Sequence, residues 1–141
     1  MNTRLLEGSR VLDLAGEPLA MAGRMLADMG ADVVKLEPGA GDPLRCAASV
    51  DLYSGVSLRF LAWNAGKTSI AYDADDGRVD GLLHGADVIV ETPGYADALE
   101  FPAAYAPQAV WLKATPFGLA GPRANWRASH RSSTCPCRKW S

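Results

Sequence analysis

The sequence predicts an α/β fold, in which helices cover both faces of a parallel β-sheet. Two observations carry this prediction: short runs rich in β-branched residues alternate with segments of helical periodicity, and residues 11–37 form one continuous strand–helix–strand unit. Two parallel strands joined by a helix need a crossover, and such crossovers are right-handed. With 141 residues, 48% of them hydrophobic and 21% charged, the chain has the composition of one globular domain.

The first unit contains two predicted strands and one helix. Arg10–Leu14 (RVLDL) is an apolar run broken by one acid, and turn-forming residues follow at 16–18 (GEP). Helical spacing begins at Leu19 and should end at Gly30, because glycine readily adopts the left-handed conformation that stops helices. Residues 32–37 (DVVKLE) then form the second strand.

The alternation continues beyond the first unit. After a loop at 38–43, residues 44–64 have mixed periodicity, which predicts one or two short helices. A helix is predicted at 77–85, and a second short helix should follow the strand that ends at residue 91. Three further strands are predicted at residues 68–73, 86–91 and 109–114.

The end of the chain differs from its body. Residues 127–141 (RASHRSSTCPCRKWS) hold four basic residues, no acid and almost no core-forming side chain. We therefore expect one domain at 1–126 and an irregular basic tail at 127–141, which is either a disordered end or the mark of a chain cut or shifted out of frame. A basic tail can bind nucleic acid, but residues 1–126 have no basic stripe with interleaved aromatics, so nucleic-acid binding is not expected.

Hydropathy and cysteine usage predict a cytoplasmic protein without a membrane partner. No apolar run approaches the roughly 20 residues that cross a bilayer, and the N-terminus lacks the apolar stretch of a secretory signal. Three cysteines do not make a disulfide framework. Cys135 and Cys137 with His130 have the types of zinc ligand, but Cys-x-Cys is too short for a zinc knuckle, so no metal site is predicted.

Nucleotide-binding fingerprints are incomplete in this sequence. Glu37 ends the second strand, where dinucleotide enzymes place a ribose-binding acid, but residues 15–30 lack G-x-G-x-x-G, and a solvated carboxylate is the favoured interpretation. Residues 66–68 (GKT) resemble the end of a Walker A loop, yet Leu61 stands where that loop needs Gly. Lys67 is then either a point charge that meets a phosphate or, as composition favours, a solvated loop lysine.

Four segments, taken together and in this order, are more specific than any one motif. They are residues 8–45 (GSRVLDLAGEPLAMAGRMLADMGADVVKLEPGAGDPLR), 63–73 (WNAGKTSIAYD), 86–94 (ADVIVETPG) and 110–126 (VWLKATPFGLAGPRANW). On these segments the chain resembles the class III CoA-transferase family, which includes formyl-CoA and carnitine CoA-transferases and α-methylacyl-CoA racemase.

The resemblance implies a Rossmann-like CoA-binding domain that is intertwined with a second subunit in an interlocked homodimer. Family members are much longer than this chain, which would be their N-terminal part. A coenzyme A thioester would be the substrate, and the resemblance implies no permanently bound cofactor.

The resemblance also assigns candidate CoA-binding residues by position in four loops. They are Glu17 and Pro18; Asn64, Ala65, Gly66 and Lys67; Thr92, Pro93 and Gly94; and Pro116, Phe117 and Gly118. Under this assignment Lys67 becomes a good phosphate partner. Some positions depart from the family: Thr92 and Pro93 stand where an Asn and an aromatic are usual, and Pro38 and Glu100 replace arginines that meet the nucleotide. Weak CoA binding is expected, because charge-assisted contacts are worth roughly 1.5–3 kcal/mol each.

The resemblance implies no catalytic residue for this chain. The family's transferases use an aspartate nucleophile that passes through acyl-enzyme and enzyme–CoA states, and that aspartate lies beyond the last matched residue, Trp126. The racemase branch uses a His–Asp pair near this point, but Arg131 follows His130.

The predicted function is therefore CoA transfer between carboxylic acids, with this chain as a weakly binding scaffold. The alternatives are a 2-methylacyl-CoA racemase or epimerase, and a non-catalytic, truncated paralogue that acts as a binding or assembly module. A dinucleotide oxidoreductase is a distant third, because the glycine fingerprint is missing. The acyl group and the acceptor are not predicted.

Overall fold

The fold is a five-stranded, wholly parallel sheet with helices on both faces, which confirms the predicted α/β class. The computed structural model describes residues 4–72, 77–95, 106–115 and 117–124. The strands are β1 (Arg10–Leu14), β2 (Asp32–Pro38), β3 (Thr68–Tyr72), β4 (Val88–Glu91) and β5 (Val110–Lys113), in the order β3-β2-β1-β4-β5. The order reverses direction between β1 and β4, and in such sheets ligands bind at this switch point, beyond the carboxyl ends of the strands.

Three α-helices and a short 3₁₀ turn connect the strands in the described parts of the chain. They are α1 (Glu17–Asp28), the 3₁₀ turn Pro43–Cys46, α2 (Leu58–Asn64) and α3 (Arg78–His84). The two short segments after β2 confirm the prediction made for residues 44–64. Several predictions lie outside the described residues. They concern the helix after residue 91, the basic tail, Glu100, Pro116 and His130.

Helix α1 begins two residues before the predicted start and ends before Gly30. Pro18 in the first turn favours the earlier start, because the ring presets a helical φ where no backbone donor is needed. Gly30 has φ +103, the left-handed conformation expected for a helix stop. The first strand–helix–strand unit is therefore confirmed, and β1 pairs with β2 in parallel from Arg10 opposite Asp32.

The two faces of the sheet carry separate apolar clusters. On one face, side chains of β1, β2 and β4 pack against Val79 and Leu83 of α3; they are Leu12, Leu14, Leu36 and Ile89. On the other face, Leu19, Leu26 and Ala27 of α1 cover side chains of the same strands, namely Val11, Val33, Val88 and Val90. No helix in the described part of the chain is long and apolar enough to cross a membrane.

Candidate functional site

The candidate site is the carboxyl edge of the sheet around the switch point between β1 and β4. The turn after β4 is bound to the end of β1, because the Thr92 amide donates to the Leu14 carbonyl at 3.3 Å. A cavity of about 140 Å³ lies instead between the amino half of the sheet and α3, beside Arg10, Asp32 and Leu82. Ligand pockets usually hold about 300–1,000 Å³, so this cavity is the weaker candidate.

The segment after β4 forms a tight turn. The Tyr95 amide donates to the Thr92 carbonyl at 3.1 Å, and Gly94 has φ +86. Proline followed by a glycine of positive φ is the signature of a type II turn. Pro93 and Gly94 are exposed at its tip. Three predicted site residues, Thr92, Pro93 and Gly94, thus form one turn at the switch point.

The carboxyl half of the α1 face is ionic rather than apolar. Asp13, Lys35 and Glu37 alternate along β1 and β2 with the residues of the α3-side cluster, and all three are buried. The Lys35 ammonium, fully buried, lies 2.9 Å from Asp42 Oδ2 and donates to the Ala15 carbonyl at 2.8 Å. Such buried charges are tolerated only when each has a partner.

Glu37 lies inside this ionic region and is saturated by donors. Arg45 binds both of its carboxylate oxygens, at 2.6 and 2.7 Å, and the Asp42 amide and the Ser69 hydroxyl also donate to it. Burial alone would raise the pKa of Glu37, but the hydrogen bonds from Arg45, Ser69 and Asp42 outweigh it and lower the pKa from 4.5 to about 2. The expected solvated carboxylate is wrong, because Glu37 is 3% exposed.

Lys67 is also directed into the protein. Its side chain is 1% exposed, and its ammonium contacts Asp13 Oδ2 at 2.6 Å, the Ala20 carbonyl at 2.7 Å and Asn64 Oδ1 at 2.8 Å. The interpretation as a solvated loop lysine is therefore wrong. Burial lowers the pKa of Lys67, and the Asp13 carboxylate partly opposes that change. An ammonium has three donors, so a phosphate contact would have to replace one of these acceptors; that role stays a prediction.

The rest of the 64–67 loop packs beside α1. The Asn64 amide group donates to the Phe60 carbonyl at 3.0 Å, and the Lys67 backbone amide donates to the Asn64 carbonyl at 3.2 Å. Gly66 has φ +80, and Ala65 and Gly66 are exposed. The loop therefore presents its backbone to solvent, while its lysine holds it to the sheet.

Glu17 lies on the same side of α1 as this loop. Its carboxylate pairs with Arg59 of α2 at 2.8 Å, and Arg24, farther along α1, donates to the Ala62 carbonyl. Pro18 stands beside Glu17 in the first turn of α1. The packing of α1 on α2 thus brings two of the predicted loops to one side of one helix.

Phe117 and Gly118 follow β5, at the far side of the switch point. Phe117 is exposed, and Gly118 has φ +88. Two buried hydroxyls in the described structure, Thr92 Oγ1 after β4 and Thr115 Oγ1 after β5, have no hydrogen-bond partner. This part of the edge therefore holds polar groups whose bonding capacity is unused.

Sequence reasoning missed the residues that hold the edge together. They are Asp13, Lys35, Asp42, Arg45 and Tyr95. A signal existed in the strands: Asp13 stands two residues after Val11 in RVLDL, and Lys35 and Glu37 stand two and four residues after Val33 in DVVKLEP, which puts these three charges on one face of otherwise apolar strands.

The ion pairs limit the chemistry available at this edge. The three buried carboxylates, Asp13, Glu37 and Asp42, each pair with a cation. A nucleophilic carboxylate must reach a substrate carbonyl, and these three face lysine or arginine instead. In the described part of the edge, each of these buried carboxylates is therefore held by a cation. This part of the edge also contains no group of three or more metal-ligating side chains.

Comparison with known proteins gives one consistent family. The sequence model of one protein family, CoA-transferase family III, matches residues 6–132 of this chain. Succinyl-CoA:(R)-benzylsuccinate CoA-transferase subunit BbsE of Thauera aromatica is 39% identical over 85% of this chain and 32% of its own length. Succinate–glutarate CoA-transferase of Agrobacterium fabrum is 35% identical over 86% of this chain and 34% of its own length.

A solved structure agrees with the sequence relatives. A CAIB/BAIF family protein from Brucella suis has a TM-score of 0.75 and 31% identity, covering 87% of this chain and 36% of its own chain. The chain therefore spans about a third of the length of the relatives it matches.

Proposed function

The chain belongs to CoA-transferase family III, and from this premise we propose that its protein moves CoA between carboxylic acids by way of an acyl-CoA. The family match over residues 6–132 carries the proposal. The relative from Thauera aromatica is named for transfer from succinyl-CoA, and the relative from Agrobacterium fabrum for succinate and glutarate. A coenzyme A thioester is accordingly the proposed substrate of this protein.

In this proposal the chain contributes part of the CoA-binding scaffold. Its binding elements are Glu17 and Pro18 at the start of α1, the loop 64–67, the turn 92–94 and the segment 116–118. Three observations support them: exposed backbone at Ala65 and Gly66, an exposed Pro93–Gly94 tip, and the unpaired hydroxyl of Thr92. We further propose the interlocked homodimer that the resemblance implies and the cytoplasmic location that hydropathy and cysteine usage predict.

The proposed binding is weak at the phosphate end of CoA. Pro38 occupies a position where related transferases place a nucleotide-binding arginine, and the Lys67 ammonium is already held by three protein acceptors. Fewer charge-assisted contacts then face the phosphates. The 141-residue chain should bind CoA but should not turn over acyl-CoA with a carboxylate acceptor, because its described carboxylates at this edge are all paired.

Calorimetric titration of CoA into the purified chain tests the proposal. Pro38→Arg should tighten CoA binding by at least about tenfold, since one charge-assisted contact is worth roughly 1.5 kcal/mol or more. Asp32→Asn is the matched control, because it adds the same net charge at the opposite end of β2. Pantetheine, which lacks the nucleotide, should bind Pro38→Arg and the unchanged chain equally.

Three results would count against this reading. Equal gains from Pro38→Arg and Asp32→Asn would mean that net charge alone is responsible. Tighter binding of pantetheine to Pro38→Arg would mean that the added arginine does not act through the nucleotide of CoA. Rapid exchange of CoA between carboxylic acids by the chain alone would show that it holds a complete catalytic centre.

The paired carboxylates also favour a second candidate, a non-catalytic module that assembles with a longer subunit. The relative from Thauera aromatica is named as a subunit. Co-expression with a full-length family member, followed by size-exclusion chromatography, separates the two candidates. A stable mixed complex whose turnover needs only the longer subunit would support the assembly role.

A further inference from the structure

Tyr95 lies where three loops of the carboxyl edge meet. Its hydroxyl donates to Asp42 Oδ2 at 2.9 Å, in the loop after β2. Its ring centre is 4.6 Å from the Lys35 ammonium, a cation–π distance. The ring also closes on the turn between β1 and α1, because a Cβ added to Gly16 would stand 3.0 Å from Tyr95 Cδ2.

The acceptor of the Tyr95 hydroxyl is itself fixed. Asp42 Oδ1 accepts from the Leu44 amide at 2.7 Å, and Asp42 Oδ2 also contacts the Lys35 ammonium. Burial and the neighbouring Asp42 charge raise the pKa of Tyr95 above its ordinary value of 10, so the hydroxyl keeps the proton that it donates. Tyr95 therefore donates to an acceptor, Asp42, that two other donors already hold in place.

The hydrogen bond between Tyr95 and Asp42 fixes one end of the turn after β4. The turn is bound at its beginning, where the Thr92 amide donates to Leu14, and at its end, where Tyr95 enters the interior. Only Pro93 and Gly94 stand between these two anchors, and both are exposed. Loss of the second anchor would remove the hydrogen bond that ties the end of this turn to the loop after β2.

We propose that Tyr95 is a positioning residue for CoA: its bond to Asp42 holds the Thr92–Pro93–Gly94 turn against the ends of β1 and β2, in the arrangement that receives the ligand. The inference rests on the proposed CoA-binding function. Tyr95 itself acts through the turn and needs no contact with the ligand.

Tyr95→Phe is the informative variant, because it removes the hydroxyl and keeps the ring over Lys35. We expect the dissociation constant for CoA to rise about tenfold, the worth of one hydrogen bond to a charged acceptor. Amide hydrogen exchange at Gly94 and Tyr95 should accelerate by a similar factor, while amides in α3 stay protected. Tyr53→Phe, which removes an exposed hydroxyl, is the control and should change neither measurement.

The two readouts separate the inference from the function on which it rests. If the unchanged chain does not bind CoA, the proposed function fails, and the exchange rates alone decide whether Tyr95 holds the turn. Unchanged exchange at Gly94 and Tyr95 in Tyr95→Phe overturns the positioning role. So does a lower unfolding midpoint in urea with an unaltered CoA dissociation constant, because Tyr95 would then serve stability only.

Discussion

The two faces of the sheet solve the same packing problem with different chemistry. Under α3, β1 and β2 present the charged Arg10 and Asp32 at their amino ends and apolar side chains after them, among them Leu12, Leu14 and Leu36. Under α1, the same strands begin with valines and end with Asp13, Lys35 and Glu37. Towards the carboxyl ends of the strands the α3 face is an apolar core, whereas the α1 face changes from apolar side chains to ion pairs where the loops of the candidate site begin.

The difference suggests separate roles for the two faces: one stabilises the sheet, and the other positions the loops at its carboxyl edge. Apolar burial is non-directional, so the apolar cluster under α3 stabilises the sheet without requiring a defined pairing of atoms. An ion pair has a defined geometry, and each pair on the α1 face ties a loop to a strand: Lys67 to β1, Asp42 to β2 and Arg45 to β2. Replacing buried pairs by apolar residues is often neutral or stabilising, so stability alone does not require them.

The largest expected loss of stability comes from removing the cation of the Lys67–Asp13 pair, which leaves the Asp13 carboxylate buried. Lys67→Met should lower the free energy of unfolding by about 3–5 kcal/mol, because Asp13 stays charged and buried without its cation. Asp13→Asn combined with Lys67→Met should recover most of the loss, since Asn keeps the acceptor for the Ala15 amide, which lies 2.9 Å from Asp13 Oδ1. Urea unfolding followed by tryptophan fluorescence measures both. A loss below about 1 kcal/mol for Lys67→Met would mean that the pair is not buried as described.

A smaller effect compares one glycine in each helix. A Cβ on Gly23 in α1 would stand 2.3 Å from Asp13 Oδ2 and 3.0 Å from the Lys67 ammonium, whereas a Cβ on Gly81 in α3 meets nothing within 4 Å. Gly23→Ala should cost about 1–3 kcal/mol, as overpacking does, and Gly81→Ala should gain about 0.5–1 kcal/mol from helix propensity. Thermal unfolding followed by circular dichroism checks both signs. Two stabilising substitutions would contradict the close approach of α1 to the ion pair.

The smallest effect appears on acidification. The pKa of Glu37 is depressed from 4.5 to about 2, so its contribution to stability is complete above pH 4.5 and is lost as the pH falls towards 2. One such group changes the free energy of unfolding by at most about 1.4 kcal/mol per pH unit.

Two variants isolate this contribution in urea titrations at pH 3 and pH 7. Glu37→Gln should flatten the acid limb of the stability profile. Leu36→Ala, on the other face of the same strand, should lower stability by about 2–5 kcal/mol equally at both values. If the loss of unfolding free energy in Leu36→Ala depended on pH, the pH dependence could not be assigned to the ionic face alone.

The fold followed from the sequence because its signals are local. Strand runs such as DVVKLEP, the helical spacing that starts at Leu19 and the stop at Gly30 need no knowledge of distant residues. The family motifs added the four loops, and the structure places three of them around the switch point and α1. The fourth contains Pro116, which lies outside the described residues.

The ionic contacts of the site did not follow from the sequence, because they join residues far apart in the chain. Lys67 meets Asp13 across 54 positions, and Tyr95 meets Asp42 across 53. Composition treats both Glu37 and Lys67 as solvated, since charged residues usually are. Only the register of β1 against β2 and the approach of the 64–67 loop show that each has a buried partner.

The crowding of three donors on Asp42 also bears on the thermodynamics of ligand binding. A loop that becomes ordered when a ligand arrives lowers affinity by the conformational entropy lost at that moment. Here Lys35, Tyr95 and the Leu44 amide hold the loop after β2 through contacts within the protein itself. The conformational entropy of that loop is therefore lost during folding, and a ligand that bound at this edge would not need to order it.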